Sequence, residues 1–363
     1  MKALRSILTL ACCLMLAGPA AAQMSLIPPK AAPPAASKAA KPKAKAKPPA
    51  AAKKPVAKKP TGPVASPKPA PAPVAPASPA PVADDPNVDV VYGAYQRGQY
   101  KTAFDLANQR AQDNNDPKAM AMLGELYANA LGVKRDYDKA ASWYKRASDQ
   151  GDREAMFALA MLRISGRGGP VNREEGAKLL ASSAKLGNPK AAYNLALLYL
   201  DGQTLPQDTK RAAELLRVAA DAGNPEAQYA LATFYKEGTG VEKNVEKSVR
   251  LLQAASLADN VDAEVEYAIA LYNGIGTPKN EAAAVALLRK AARQNSPIAQ
   301  NRLARVLVTG QGAPMDKVDA LKWHIIAKTA GKGDLMLDEA LAQASPEDRA
   351  KAEDAARKWL GAK

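Results

Sequence analysis

Residues Asn188–Asn224 read NPKAAYNLALLYLDGQTLPQDTKRAAELLRVAADAGN, and this stretch decides the fold. Ala191, Leu195, Ala196 and Tyr199 recur at helical spacing after Asn188-Pro189, and a loop follows at Gly202. Asp208 then opens a second helical pattern carrying Ala212, Leu215, Leu216, Ala219 and Ala220, which Gly223-Asn224 closes. Neither apolar stripe can be hidden by its own helix or by one partner. The unit makes physical sense only when stacked on copies of itself.

The copies are present. Alanine recurs at Ala119, Ala155, Ala191, Ala227, Ala263 and Ala299, a step of 36 residues each time. A fixed period in the range of about 20–50 residues marks a solenoid. The loop glycine returns as Gly166, Gly202, Gly238, Gly274 and Gly310, with Ala130 departing. A second follows two residues on at Gly132, Gly168, Gly240, Gly276 and Gly312, with Thr204 departing. Asp116, Asp152, Asn188, Asn224, Asn260 and Ser296 precede the first helices. Asp136, Asn172, Asp208, Asn244, Asn280 and Asp316 precede the second. All are residue types whose side-chain oxygen accepts from the free N–H groups of a first turn, each cap contributing about 1 kcal/mol. Pro117, Pro189, Pro225 and Pro297 stand at the first helical position, where no N–H is needed. In the second helices small residues such as Ala140, Gly176 and Ala212 alternate with Trp143, Leu179, Leu215, Leu251, Leu287 and Trp323, a core-packing pattern.

The run Ala119, Leu123-Gly124, Tyr127, Leu131-Gly132-Val133, Asp136, Lys139-Ala140, Trp143-Tyr144, Ala147, Gly151 resembles the Sel-one-like repeat, a relative of the tetratricopeptide repeats with a longer loop. The resemblance covers residues 117–334 in six copies. It implies an all-α fold: a right-handed superhelical solenoid of antiparallel helix pairs whose concave face is offered to other proteins. It implies no single activity.

The flanks differ in composition. Met1–Ala22 carries Lys2 and Arg5, an uncharged run from Ser6, and Ala20-Ala21-Ala22, the pattern of a cleaved secretory signal. An uncleaved anchor is the bland alternative. The run is broken by Gly18-Pro19, short of the roughly 20 residues a span needs. Cys12 and Cys13 lie inside this segment, and Thr9-Leu10-Ala11 makes a poor lipidation box before Cys12. Cleavage would leave a chain without cysteine. Residues 23–86 hold 18 of the 28 prolines, 11 lysines and two acids, Asp84 and Asp85. With few large apolar side chains to bury, such an Ala/Pro/Lys segment is expected to be a disordered linker. If fully polyproline-like, it would reach at most roughly 200 Å, at about 3.1 Å per residue.

The net charge of +15 belongs mostly to this linker. Residues 87–363 hold 38 basic and 34 acidic residues, so a nucleic-acid reading would mistake a tail property for a domain property. The tail also lacks arginine and aromatic residues to stack on bases. Residues 87–116, with Val91, Tyr92, Tyr95, Tyr100 and Phe104, read as an N-terminal capping helix pair turning at Gly98-Gln99. Residues 335–363 read as two C-terminal capping helices, with Ser345 and Asp348 at the start of the second and Trp359-Leu360 folding back on the last repeat. End units must differ because one side of each faces water.

Chemistry is sparse. His324 is the one histidine, in a column otherwise held by Tyr144, Leu180, Leu216, Leu252 and Leu288, so packing is the expectation. One histidine and no mature thiol make neither a catalytic pair nor a transition-metal site. Gly166-Arg167-Gly168-Gly169 falls in the repeat loop and follows no strand, which argues against a phosphate loop. The sequence calls for no cofactor.

The remaining candidate is a surface. The fifth repeat position reads Ala121, Phe157, Tyr193, Tyr229, Val265 and Asn301. The ninth reads Glu125, Met161, Leu197, Thr233, Ile269 and Arg305. Both point away from the core side of their own helix. In repeats two to five this is an apolar and aromatic stripe, the kind that marks binding grooves when exposed. Packing on the next repeat's first helix is the competing explanation. The sequence thus supports a periplasmic or otherwise secreted, non-enzymatic adaptor that binds a protein partner. The alternative is an envelope-polymer binder whose Lys-rich tail holds an anionic wall or membrane surface, with the solenoid as spacer.

Overall fold

The computed structural model describes residues 89–361, so the expected signal and linker, residues 1–22 and 23–86, lie outside the described residues. Among the described residues there are helices and no strands. The N-terminal pair is α1 (Val90–Gln96) and α2 (Tyr100–Asp113). Six repeat pairs follow: α3 (Pro117–Asn129) with α4 (Tyr137–Asp149), α5 (Arg153–Ser165) with α6 (Arg173–Lys185), and α7 (Pro189–Asp201) with α8 (Thr209–Asp221). The last three are α9 (Pro225–Glu237) with α10 (Val245–Leu257), α11 (Val261–Asn273) with α12 (Glu281–Arg293), and α13 (Pro297–Thr309) with α14 (Lys317–Thr329). Two helices, α15 (Leu335–Ala342) and α16 (Pro346–Gly361), complete the chain. None of the described helices is long and apolar enough to cross a membrane.

The boundaries are set locally. Each of the twelve repeat-helix caps accepts a hydrogen bond from a backbone N–H of its own first turn, as Asn188 Oδ1 does from Ala191 at 2.9 Å. First helices end on a left-handed residue that turns the chain. In five repeats this is glycine; in the first it is Ala130, at φ 59° and ψ 39°. The second loop glycine serves a different purpose. A Cβ on Gly240 would stand 2.3 Å from the Thr209 carbonyl oxygen, so this loop rests directly on the start of the preceding repeat's second helix.

Packing runs from each helix to the next along the chain. Alanines such as Ala191, Ala196, Ala212 and Ala219 are fully buried and bring helix axes close, while Leu200, Leu216 and Phe234 fill between them. Size is balanced locally. Tyr144 replaces the usual leucine in its column, and its ring lies where a Cβ on Gly124 would be, at 2.6 Å. Every other copy has alanine in place of Gly124.

At the C-terminus α16 packs on α14. Ser345 Oγ accepts from Asp348 N–H, and Trp359 meets the core of the last repeat. His324 is fully buried and its Nε2 lies 2.8 Å from Asp338 Oδ1 on α15. The histidine therefore fastens the end helix as well as filling its column. Lys328 Nζ holds the same oxygen at 2.6 Å. These two hydrogen bonds, Lys328 first, hold the Asp338 carboxyl below its ordinary range.

Candidate interaction surface

The first helices α3, α5, α7, α9, α11 and α13 carry the expected stripe, and the structure grades its members. Met161 is exposed. Phe157, Tyr193, Leu197, Tyr229, Thr233 and Ile269 are half-buried, and Val265 is closed into the core at 4% exposure. The cause is shared between each repeat's own helices and the next repeat. Phe157 packs against the cluster of Ala160, Leu180, Ala191 and Leu195, and Tyr229 against that of Ala232, Leu252, Ala255 and Ala263; the following first helix supplies Ala191 and Leu195 to one and Ala263 to the other. A side chain that points away from its own helix's core still meets the following first helix. The stripe is thus part packing and part surface, and Val265 contributes no surface.

Residues outside the apolar stripe complete this face. Glu226 is exposed close to Tyr193, and Asp262 is half-buried close to Tyr229. Burial pushes the Tyr193 phenol up, and Glu226 adds to the shift. The same holds more strongly at Tyr229, where Asp262, Glu266 and Glu237 add to burial. Asp262 is itself raised, by burial first and then by Glu266. Glu266 is paired with Lys236 at 2.9 Å. Further along, Asp334 accepts from Arg305 Nε and Asn301 Nδ2. Burial opposes ionisation of Asp334, but those hydrogen bonds outweigh it and hold the carboxyl low. The apolar columns alone do not reveal Glu226 and Asp262, which occupy the second position of the following repeat. The recurrence of Glu226 and Asp262 at the 36-residue period was the available signal.

Not every stripe position faces outward. Glu125 accepts from the Tyr144 hydroxyl at 3.0 Å, and Thr233 Oγ1 donates back to the Tyr229 carbonyl. Among the described residues no three His, Cys, Asp or Glu side chains converge as metal ligands. What the face offers chemically is aromatic and aliphatic side chains and carboxylates.

The family model described as the Sel1 repeat matches residues 117–152, 153–188, 189–224, 225–260, 261–296 and 297–332. A Sel1 repeat protein of Oxalobacter formigenes aligns with a TM-score of 0.60 and 26% identity, covering 67% of this chain and 100% of its own. The protein c5321, a protective antigen of uropathogenic Escherichia coli strains displaying an SLR fold, aligns with a TM-score of 0.52 and 24% identity. That alignment covers 74% of this chain and 67% of c5321, and its likeness concerns the fold alone. No curated protein gives a significant match.

Proposed function

The chain belongs to the Sel1 repeat family, and from that membership we propose that it is a non-enzymatic scaffold capturing a protein partner on the concave, first-helix face of its solenoid, in the bacterial envelope. Sel1-repeat solenoids are generally protein–protein interaction scaffolds, and no catalytic family is indicated. The observation that carries the reading is the first-helix face of repeats two to five. There Met161 is exposed, Phe157 is half-buried, and the half-buried Tyr193 and Tyr229 stand near Glu226 and Asp262, on a frame set by twelve satisfied caps. Rigid elements presenting aromatic side chains cost a partner little ordering entropy. The envelope location rests on Lys2, Arg5, the uncharged run and Ala20-Ala21-Ala22.

A photo-crosslinker placed at Met161 or Asn194 tests the face, with Val218 and Leu257 on second helices as controls. Both controls are exposed, at 49% and 80%. Partner adducts from the first-helix positions alone support the proposal; adducts only from Val218 or Leu257 overturn it. The second reading, a Lys-rich tail gripping an anionic envelope surface, is favoured by the 11 lysines of residues 23–86. Exposed-charge binding of that kind weakens steeply with salt, whereas contact with aromatic side chains persists.

A further inference from the structure

The repeat sets up a series of rungs along the first-helix face. The fifth position of one repeat stands near the second position of the next: Tyr193 with Glu226, Tyr229 with Asp262, Asn301 with Asp334. In the last of these the carboxylate is satisfied from within. Asp334 receives Arg305 Nε, Asn301 Nδ2 and the backbone N–H groups of Met336 and Leu337, and its side chain is 6% exposed. Arg305 is the ninth residue of its repeat. The ninth residues of the third and fourth repeats are Leu197 and Thr233, which carry no charge. Glu226 and Asp262 therefore present a carboxylate in the same place with no arginine beside it. An acid in a helix's first turn favours the helix dipole. That accounts for the residue type, but not for Asp262 being half-buried near a tyrosine ring without its own counter-charge, an arrangement that costs stability.

Resting on the concave-face reading above, we propose that the rungs of repeats three to five seat an extended segment of a separate partner protein. That segment carries two cationic side chains three residues apart, each standing where Arg305 stands in the last rung. The chemistry is that of lysine or arginine. The charged end meets Glu226 or Asp262 while the aliphatic stem lies along the exposed part of the Tyr193 or Tyr229 side chain. The spacing follows from geometry. Packed helices repeat at roughly 10 Å. A polyproline-like chain advances about 3.1 Å per residue with three residues per turn. Side chains three apart thus fall on one face at nearly the rung spacing. An acidic or purely apolar segment would leave both carboxylates unpaired.

The probe is a fluorescent peptide containing Lys-Pro-Pro-Lys, titrated into the full chain and followed by anisotropy. Binding should fall at least tenfold in E226Q/D262N, and equally when both peptide lysines are acetylated. The T233R variant copies Arg305 one rung earlier, fills the place beside Asp262 internally, and should also abolish binding while raising the melting temperature. Undiminished binding by E226Q/D262N with an intact melting temperature overturns the assignment. So does self-association of the chain that the peptide reverses, which would make a second copy the occupant. If crosslinks from Met161 to a partner persist in E226Q/D262N, scaffold capture stands and only the cationic-segment assignment fails. Loss of Met161 crosslinks in the unaltered chain sinks the broader reading instead.

Discussion

Trp359 on α16 meets Trp323 on α14 edge to face, with ring centroids 5.2 Å apart. Trp323 is only 4% exposed, so the end helix acts as the cover that the last repeat's open side requires. Trp359→Ala should cost about 2 kcal/mol, combining lost apolar burial with an aromatic pair worth about 0.5–1.5 kcal/mol. In a Trp143→Phe background, Trp323 fluorescence should change at lower urea than the helical circular dichroism signal. Coincident, unshifted transitions would show that the cover is dispensable.

Ala130 holds a left-handed backbone that five sister positions give to glycine. That conformation costs an alanine roughly 1–2 kcal/mol, part of which is offset by the smaller entropy of its unfolded chain. Ala130→Gly should therefore raise stability by about 0.5–1 kcal/mol. Gly240→Ala should do the reverse by at least about 2 kcal/mol, because its Cβ would overlap the Thr209 carbonyl oxygen at 2.3 Å. Denaturant midpoints of the two variants moving in the same direction would contradict this account.

Glu264 is fully buried, and its carboxylate meets Lys290 at 2.7 Å while Oε2 has no hydrogen-bond partner. The corresponding residues one repeat either side are Gln228 and Gln300. Each donates Nε2 to a carbonyl eight residues upstream, at 3.2 and 3.1 Å. Glu264→Gln would give the side chain the same bond, to Ser256, and remove a buried charge. Lys290 would keep Asp259 as a partner. A gain of about 1 kcal/mol is expected by calorimetry; a loss would mean that the Lys290 pair outweighs its desolvation.

Asp262 and Asp334 should respond to pH with opposite sign. The folded value of Asp334 is lowered, so its contribution is present above the unfolded value of about 3.9 and is lost as pH falls through the folded one. Asp334→Asn should lower the melting temperature at neutral pH, by a few degrees, with the gap narrowing on acidification. The folded value of Asp262 is raised by burial and Glu266, so the native state binds this proton more readily than the unfolded chain. Its ionisation costs stability in full above the folded value, and the cost declines as pH falls from there and is gone below the unfolded value of about 3.9. Asp262→Asn should raise the neutral-pH melting temperature, with the gain vanishing toward pH of about 4. Parallel curves for the two variants would refute the contrast between the rungs.

The helix boundaries were legible in the sequence because caps, prolines and loop glycines act within one turn of themselves. Asn188 bonds Ala191, three residues on, and any reader of the chain can see both. The rungs were not legible in the same way. A helical wheel gives the direction of Tyr229 relative to its own axis, but not the approach of α11, which half-buries the ring and brings Asp262 to it. Val265 failed as a surface residue for the same reason. His324 was recognisable as a packed residue from its column. Its bond to Asp338 was hidden because Asp338 lies beyond the last repeat, where no period predicts a neighbour. Ala130 was visible as an exception, while its left-handed backbone became definite only in the structure.

Because helix contacts pass chiefly from each element to its successor, distant turns of the coil lack a brace across the stack. Tension applied at both ends would peel it from whichever terminus yields first, in increments of one pair. An extended repeat pays out roughly 120 Å of contour at about 3.4 Å per residue. Optical-tweezer traces should therefore step at that interval, and a single cooperative rupture would show instead that the coil carries load as one body.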